Sequence, residues 1–369
     1  MRYRTAAPAD EPALHALWAA AFPDAATVVA LWGRDPGRHS RTFVAEDDGG
    51  RLVSVLHYLP RPIRSATGRP QRVGCLGSVA THPDARGQGH VRHLLAAAVA
   101  AMTADGCAWS LLFTATPRVY EGAGWRSFAA PGWSGPVTDR APHPGAAAVR
   151  PSTRADLPAL RALRDGFDAV RPLTTVRGAD DWEHRVPVWY AAPAQILVAE
   201  DSGHGGSGRN PEPGAPLFPG GPGGPGGPGE PGEPGRLDRA GQLGRAGRLP
   251  SLAAPFAPSG RPLGFAVLRR PAPDQVELAE IALAPGREED AAGALLSAAA
   301  VRARAAGATS ATVRLPAEPA VVGALPHLLA ESVPEATHYG MARPVLAPAA
   351  EVLATVTAPG AFHWYGDSF

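Results

Sequence analysis

Hydrophobic and polar positions alternate along the first 130 residues with two periods, one of two residues and one of about 3.6 residues. The shorter period predicts strands, and the longer period predicts helices with one buried face. The predicted order is a strand, a helix, three strands, a helix and a strand. The strands are predicted at 2–6, 41–47, 51–63, 71–82 and 107–116, and the helices at 8–22 and 90–106.

The same order recurs after residue 148, which indicates a tandem duplication. Strand and helix are predicted over 149–167, a hairpin from 195–201 and 262–270, and strand, helix and strand over 276–316. Residues 202–260 interrupt that hairpin with a Gly/Pro-rich insertion that is predicted to be disordered. The pattern predicts an α/β (α+β) fold with two domains, 1–145 and 146–345, each a mixed, mostly antiparallel sheet flanked by helices. Residues 346–369 form a short C-terminal tail.

Composition excludes several classes of function. Lys and Arg together number 35 against 34 Asp and Glu, so a net charge of +1 gives no basic excess for nucleic acid. The chain contains no lysine, which excludes Schiff-base and P-loop lysine chemistry. No apolar run approaches 18 residues and no secretory signal opens the chain, so we expect a cytoplasmic protein without a membrane partner. Cys75 and Cys107 are expected to be buried, small apolar side chains.

The segment 78–95 carries the most informative motif. A predicted strand ends before Pro83, and a turn containing Gly87 and Gly89 opens the second predicted helix. A helix N-terminus offers free backbone N–H groups and the positive end of the helix dipole, and glycine lets the backbone approach an anion closely. Position 92 is Arg, so the spacing departs from the G-x-G-x-x-G of dinucleotide domains. The motif predicts a site for a pyrophosphate.

This segment resembles the acetyl-CoA loop of the GCN5-related N-acetyltransferase (GNAT) superfamily, Arg/Gln-x-x-Gly-x-Gly/Ala, although Val91 replaces the last Gly or Ala. Downstream, Tyr120, Gly124 and Trp125 resemble the Tyr-x-x-x-Gly-aromatic segment of the same superfamily. The tandem arrangement further resembles the bacterial enhanced intracellular survival (Eis)-like acetyltransferases, although too few residues follow the second copy for their third domain.

The resemblance implies an acetyl-CoA-dependent N-acetyltransferase that moves an acetyl group directly to a primary amine of a small molecule or peptide. Such enzymes act on aminoglycosides and lysine side chains and assemble as oligomers, so a homo-oligomer is implied. Tyr120 is the implied general acid, and the terminal carboxylate, here that of Phe369, is the implied base. The implied cofactor-binding residues are Val79, Ala80, Thr81, Arg86, Gly87, Gln88, Gly89, His90, Val91, Arg92, Ala115 and Thr116.

The last eight residues are dense in aromatic side chains, which predicts a buried tail. A tail that enters the first domain would bring the Phe369 carboxylate to the acceptor amine, although a free α-carboxyl, with a pKa of about 3.3–3.7, is a weak base unless burial raises that value. The aromatic residues could equally only cover the core. His363 and Asp367 are alternative bases.

Two further expectations concern binding. His82, His90 and His93 lack an acidic or cysteine partner, so no metal site is expected. In the second copy Glu288 and Asp290 align with Gly87 and Gly89, and carboxylates there would repel a pyrophosphate. The alternative to an enzyme is a non-catalytic acyl-CoA-binding sensor or scaffold; the insertion could also recruit a partner protein.

Overall fold

A computed structural model describes residues 1–141, 143, 147–190, 194–201 and 261–369 of the chain. The insertion expected at 202–260 lies outside these residues. In order, the strands are β1 Arg2–Thr5, β2 Thr42–Glu46, β3 Leu52–Arg64, β4 Pro70–Thr81, β5 Trp109–Phe113, β6 Arg126–Ala130, β7 Trp133–Pro136, β8 Ala147–Pro151, β9 Gln195–Asp201, β10 Pro262–Ala272, β11 Gln275–Leu283, β12 Ser310–Val313, β13 Val333–Pro334 and β14 Thr337–Pro344. The helices are α1 Glu11–Ala21, α2 Ala25–Gly33, α3 His90–Ala104, α4 Arg118–Glu121, α5 Leu157–Asp168, α6 Val186–Trp189, α7 Glu288–Ala305, α8 Pro319–Ala324 and α9 Ala349–Val356.

Within the described ranges the strands form two sheets of seven strands each. Their orders are β1-β2-β3-β4-β5-β14-β6 and β13-β7-β12-β11-β10-β9-β8. Only β4 with β5, and β11 with β12, pair in parallel among these strands. The predicted class of fold, mixed and mostly antiparallel sheets flanked by helices, is therefore confirmed, and so is the antiparallel pairing of β9 with β10 across the insertion.

Each sheet is covered on both faces because neighbouring strand residues point to opposite sides. In the first sheet, Phe43 packs in the cluster that contains the apolar face of α3, and Val44 packs in the cluster that contains α1 and α2. In the second sheet, α7 covers one face and α5 covers the other. The predicted helical face of α1, Leu14, Leu17 and Trp18, is fully buried.

The two halves of the chain exchange a strand, which the sequence pattern did not reveal. Strand β7 leaves the first half and pairs with β12 and β13 of the second sheet. Strand β14 returns from the far end of the second half and lies between β5 and β6 of the first sheet. Each sheet therefore contains a strand from the other half of the chain. The boundaries at 145 and 345 stay predictions: they mark the repeats in the sequence, and the sheets do not follow them.

The C-terminal tail is held by a buried ion network at the base of the second half. Arg164 of α5 donates to Asp168, to Glu280 of β11 and, at 3.0 Å, to Asp367 of the tail. Arg177 donates to Asp367 at 2.6 Å and to Glu280 at 2.9 Å. All five side chains are at most 2% exposed. Burial opposes ionisation of Asp367, but the two guanidinium groups prevail and lower its pKa to about 2.

Aromatic residues of the tail add packing contacts to this ion network. Trp364 is fully buried, donates its indole N–H to Asp168 at 3.1 Å, and stacks under the Arg164 guanidinium at 4.9 Å. Phe362 packs with it in the core of the second sheet, whereas Phe369 packs against the core of the first. The prediction of a buried aromatic tail is confirmed, and the tail bridges both halves.

We predict that Arg177→Met lowers the free energy of unfolding by about 3–5 kcal/mol, because it leaves Glu280 and Asp367 buried without one of their two cations. Chemical denaturation followed by circular dichroism measures this loss. The matched control is Arg51→Met, which removes an exposed partner of Asp47 and should cost less than about 1 kcal/mol. Equal losses in the two variants would contradict the role assigned to the network.

Candidate active site

The two central parallel strands of the first sheet separate at the candidate site. Strands β4 and β5 pair from Val73 with Trp109 to Cys75 with Leu111. Strand β4 continues to Thr81 alongside β3, whereas the end of β5 pairs with β14. A wedge therefore opens between β4 and β5, bordered on one side by the backbone of residues 77–81.

A bulge in β4 shapes the rim of this wedge. Ser78 has a positive φ of 55°, and the pairing with β3 shifts register between Val55 and His57. The Trp18 indole N–H donates to Ser78 O at 2.9 Å and fixes the bulge. Glycine at position 77, inside a strand, was the sequence signal that could have indicated it.

The backbone of Val79, Ala80 and Thr81, which the resemblance assigns to the cofactor, forms the part of β4 beyond the bulge. His82 N–H donates to Val53 O at 2.9 Å. Because successive amides of a strand point in opposite directions, the N–H of Thr81 points away from β3 and toward the wedge. The rim thus offers an unpaired strand edge to an extended ligand.

The predicted pyrophosphate site, here called the anion cradle (residues 86–92), comes directly after β4 in the chain. Residues Pro83–Ala85 form one 3-10 turn, and α3 begins at His90 after Gly87 and Gly89, with φ of 76° and 79°. The N–H groups of residues 87–91 have no acceptor among the residues that the structure describes. A Cβ at either glycine would meet nothing within 4 Å, so the space in front of the amides is open. Five free amides at the start of a 15-residue helix fit a pyrophosphate.

The other predicted cradle residues surround these amides. Arg86 and Gln88 are exposed and support the loop, since Arg86 donates to Thr81 O at 3.3 Å and Gln88 to Asp84 O at 3.2 Å. Val91 is half-buried and Arg92 is exposed. His90 is buried, with Nδ1 3.0 Å from the Tyr3 hydroxyl.

Among the described residues no group of three His, Cys, Asp or Glu side chains could hold a metal ion. His93 stacks on the Tyr3 ring at 4.7 Å, so Tyr3 contacts both this histidine and His90. Both cysteines are buried and unbridged, as predicted. None of the helices in the described ranges is long and apolar enough to cross a membrane.

Tyr120 lies on α4, just after the loop in which Ala115 and Thr116 are exposed. Its side chain is 7% exposed, and burial raises its pKa to about 12, with a smaller opposing effect from a hydrogen bond with Thr114. The phenol is therefore protonated at neutral pH and can donate a hydrogen bond or a proton.

The end of the tail lies against the β4 side of the wedge, at Gly77. A Cβ on Gly77 would lie 2.4 Å from Phe369 O, so only glycine leaves room for the terminal group there. The Phe369 ring lies 6.1 Å from the Phe113 ring, at the end of β5. Within the described part of the chain no cation lies within 4 Å of the Phe369 carboxylate.

The two alternative bases have different surroundings. Asp367 is engaged by Arg164 and Arg177, as described above. Burial lowers the pKa of His363 to about 4. The His363 Nδ1 lies 3.4 Å from Leu173 O, and its buried Nε2 has no partner among the described residues.

The tail divides the cleft beside the wedge into two cavities. The first, of about 410 Å³, is bounded by α2, Ser78, Arg185 and Phe369. The second, of about 420 Å³, extends from the end of β5 to Arg314 and His363. Sequence reasoning missed Arg185 and the whole of α2, because their role depends on the packing of the two halves and no local motif marks it.

In the described residues of the second half, the start of the long helix differs from that of α3. Helix α7 begins at Glu288, so helix occupies the positions that align with the Gly87–Gly89 turn. Three carboxylates, Glu288, Glu289 and Asp290, stand in its first turn, and Arg287 pairs with Asp290 at 3.3 Å. That this half does not bind a pyrophosphate stays a prediction.

The split between β4 and β5 and the glycine-opened helix α3 lie within the segment that matches a family model. Residues 2–128 match the family model of the acetyltransferase (GNAT) domain. The chain thus carries a GNAT acetyltransferase domain in its first half, and GNAT enzymes transfer an acetyl group from acetyl-CoA to an amine acceptor. None of the curated proteins matches the sequence.

Solved structures share the fold over nearly the whole chain. A probable N-acyltransferase from Enterococcus faecalis aligns with a TM-score of 0.61 at 13% identity, over 94% of this chain and 72% of its own. A GCN5-related N-acetyltransferase from Anabaena variabilis aligns at 0.58 and 13%, over 93% and 72%. Eis1 from Mycobacterium abscessus aligns at 0.54 and 11%, over 94% and 74%. The tandem GNAT-like fold is therefore confirmed.

We predict that Gly89→Asp weakens acetyl-CoA binding at least tenfold, because it strains a positive φ and places a carboxylate before the free amides. Isothermal titration calorimetry measures the affinity. Gly106→Asp is the matched control: Gly106 has a φ of 71°, has nothing within 4 Å of its Cβ position, and lies just after the opposite end of α3. Equal weakening in both variants would assign the effect to strain alone.

Proposed function

We propose that this protein transfers the acetyl group of acetyl-CoA directly to a primary amine in the wedge between β4 and β5. Three features around this strand split support the proposal: the free amides before α3, the buried phenol of Tyr120, which bonds to Thr114 just after β5, and the terminal group of Phe369 against Gly77 of β4. Each serves a different part of acyl transfer.

The chain's residues would hold acetyl-CoA along one continuous path. Residues Gly87–Val91 bind the pyrophosphate through their amides, with Arg86 and Arg92 adding positive charge. The edge of β4 at Val79, Ala80 and Thr81 pairs with the amide groups of the pantetheine arm, and Ala115 and Thr116 line its other side. This path brings the thioester to the bulge at Ser78.

Two proton transfers accompany the acetyl transfer, one from the amine and one to the departing sulfur. The amine nitrogen attacks the thioester carbonyl, a C–N bond forms and the C–S bond breaks. Backbone N–H groups near Thr81 stabilise the negative oxygen, because they are fixed and partly shielded from water. Tyr120 donates a proton to the departing sulfur, and its high pKa keeps that proton available at neutral pH.

The carboxylate of Phe369 is the preferred base for the amine proton. It has no cation within 4 Å in the described residues, and the backbone oxygen of Phe369 lies against Gly77 at the edge of the wedge. Asp367 is a poorer base because Arg164 and Arg177 lower its pKa to about 2. His363 is also poorer, because burial lowers its pKa to about 4.

Tyr120→Phe is expected to lower kcat at least tenfold with little change in acetyl-CoA affinity, because it removes the donor but keeps the ring. Steady-state kinetics and calorimetry measure the two effects. Tyr58→Phe is the control, since Tyr58 is another buried tyrosine, and its hydroxyl bonds to Asp105 away from the wedge. Unchanged turnover would remove Tyr120 as the acid. A wild-type protein that binds acetyl-CoA but acetylates no amine would favour the sensor function.

One glycine added after Phe369, and separately Gly77→Ala, should each lower kcat at least tenfold with the melting temperature nearly unchanged. Both changes displace the terminal carboxylate from β4, the second because its Cβ would lie 2.4 Å from Phe369 O. Gly166→Ala is the control, because a Cβ there meets nothing within 4 Å. Full activity in both variants would reassign the base.

A further inference from the structure

The two cavities that flank the tail have similar linings. Apolar and aromatic side chains form most of the first cavity, among them Phe22, Leu31, Trp32, Trp189 and Tyr365. Trp32 is 4% exposed and Leu31 is 5% exposed. The second cavity is lined in the same way, among others by Phe113, Phe362 and Trp364. An acceptor that reaches the wedge from either side must pass between apolar walls.

Both cavities are poor in negative charge. The first contains one side-chain carboxylate, that of Asp24, which is exposed at the N-terminus of α2 and accepts a hydrogen bond from Thr27 N–H at 3.4 Å. The second contains no side-chain carboxylate among its lining residues. Among the lining residues of both cavities, Asp24 and the terminal carboxylate of Phe369 are therefore the negative groups that a bound cation could contact.

Each cavity instead contains one arginine, Arg185 in the first and Arg314 in the second. Arg185 is 7% exposed, and its guanidinium donates to Leu31 O at 3.3 Å and Ser368 O at 3.4 Å. Its nearest carboxylate, that of Asp181, lies 4.0 Å away and also pairs with Arg61. Burial and Arg61 lower the pKa of Arg185 to about 10, so its positive charge is only partly compensated.

These walls discriminate between classes of amine. A second or third ammonium group on an acceptor would lose its water inside the first cavity, where Asp24, the one side-chain carboxylate of the lining, is exposed to solvent, and it would also be repelled by the Arg185 guanidinium. An aromatic or aliphatic body gains from burial against the tryptophans and leucine. A volume of about 410 Å³ is near the lower end for small-molecule sites, which suits one ring system with a short arm.

We propose that the acceptor is a small primary monoamine with an aromatic or aliphatic body, and that polyamines and amino sugars are poor acceptors. This inference rests on the proposed transferase function, but it can be tested through binding alone. The cavity beside α2 is the site of the apolar body, and the ammonium group faces Ser78 and the Phe369 carboxylate.

The test compares 2-phenylethylamine, a monoamine, with spermidine and kanamycin, both polycations. Calorimetry in the presence of CoA measures binding of each amine, and release of CoA from acetyl-CoA measures kcat/KM. We expect 2-phenylethylamine to bind at least tenfold more tightly than either polycation. Equal or tighter binding of a polycation, or no binding of 2-phenylethylamine, overturns the inference. Binding with this preference but without acetyl transfer supports the inference and overturns the transferase function.

A matched pair of variants isolates the role of charge in the cavity. Thr27→Asp places a carboxylate on the cavity wall and should tighten spermidine binding at least fivefold while changing 2-phenylethylamine binding less than twofold. Ala26→Asp adds the same charge at the neighbouring exposed position of α2, which does not line the cavity, and should change neither. Equal effects in the two variants, or none in Thr27→Asp, would show that local wall charge does not set the preference.

Discussion

The buried ion pairs of Asp367 with Arg164 and Arg177 are the interaction on which the site depends. A buried ion destabilises the folded state strongly when its partner of opposite charge is missing. The network therefore fixes the relative positions of α5, β11 and the tail. Two residues further along, Phe369 reaches β4 of the other sheet. The ion pairs of the second half thereby position Phe369 against β4 of the first sheet. In the proposed mechanism, this places the terminal carboxyl beside the wedge.

The cleft belongs to both halves of the chain. Its first cavity combines α2 from the N-terminal half with Arg185 and Trp189 from the second half, and Arg61 of β3 pairs with Asp181 beside them. The turn before α7 keeps one glycine with a positive φ, Gly286, but three carboxylates follow it in the first turn of that helix. The second half nevertheless supplies walls, charge and the tail. Its contribution to the proposed function is thus to shape and restrict access to a reaction centre formed by the strands of the first half.

Much of the fold, including the local structure at the start of α3, followed from the sequence. Helix α3 and its glycine turn were predictable because an apolar face at Leu94, Leu95 and Ala98 and two glycines are local signals. The exchange of β7 and β14 was not predictable, because a short strand has the same local pattern whichever sheet accepts it. Arg164 and Arg177 were also missed, since charged residues are normally exposed and only the packed structure shows their partners.

The strand exchange also constrains how the protein is made. Strand β14 pairs with β5, more than 220 residues earlier in the chain. During synthesis, the edge of β5 that pairs with β14 therefore has no partner strand until almost the entire polypeptide has left the ribosome. Contacts this distant in sequence slow folding and prolong exposure of apolar surface. Chains truncated before β14 would consequently lack the strand that joins β5 to β6 in the first sheet.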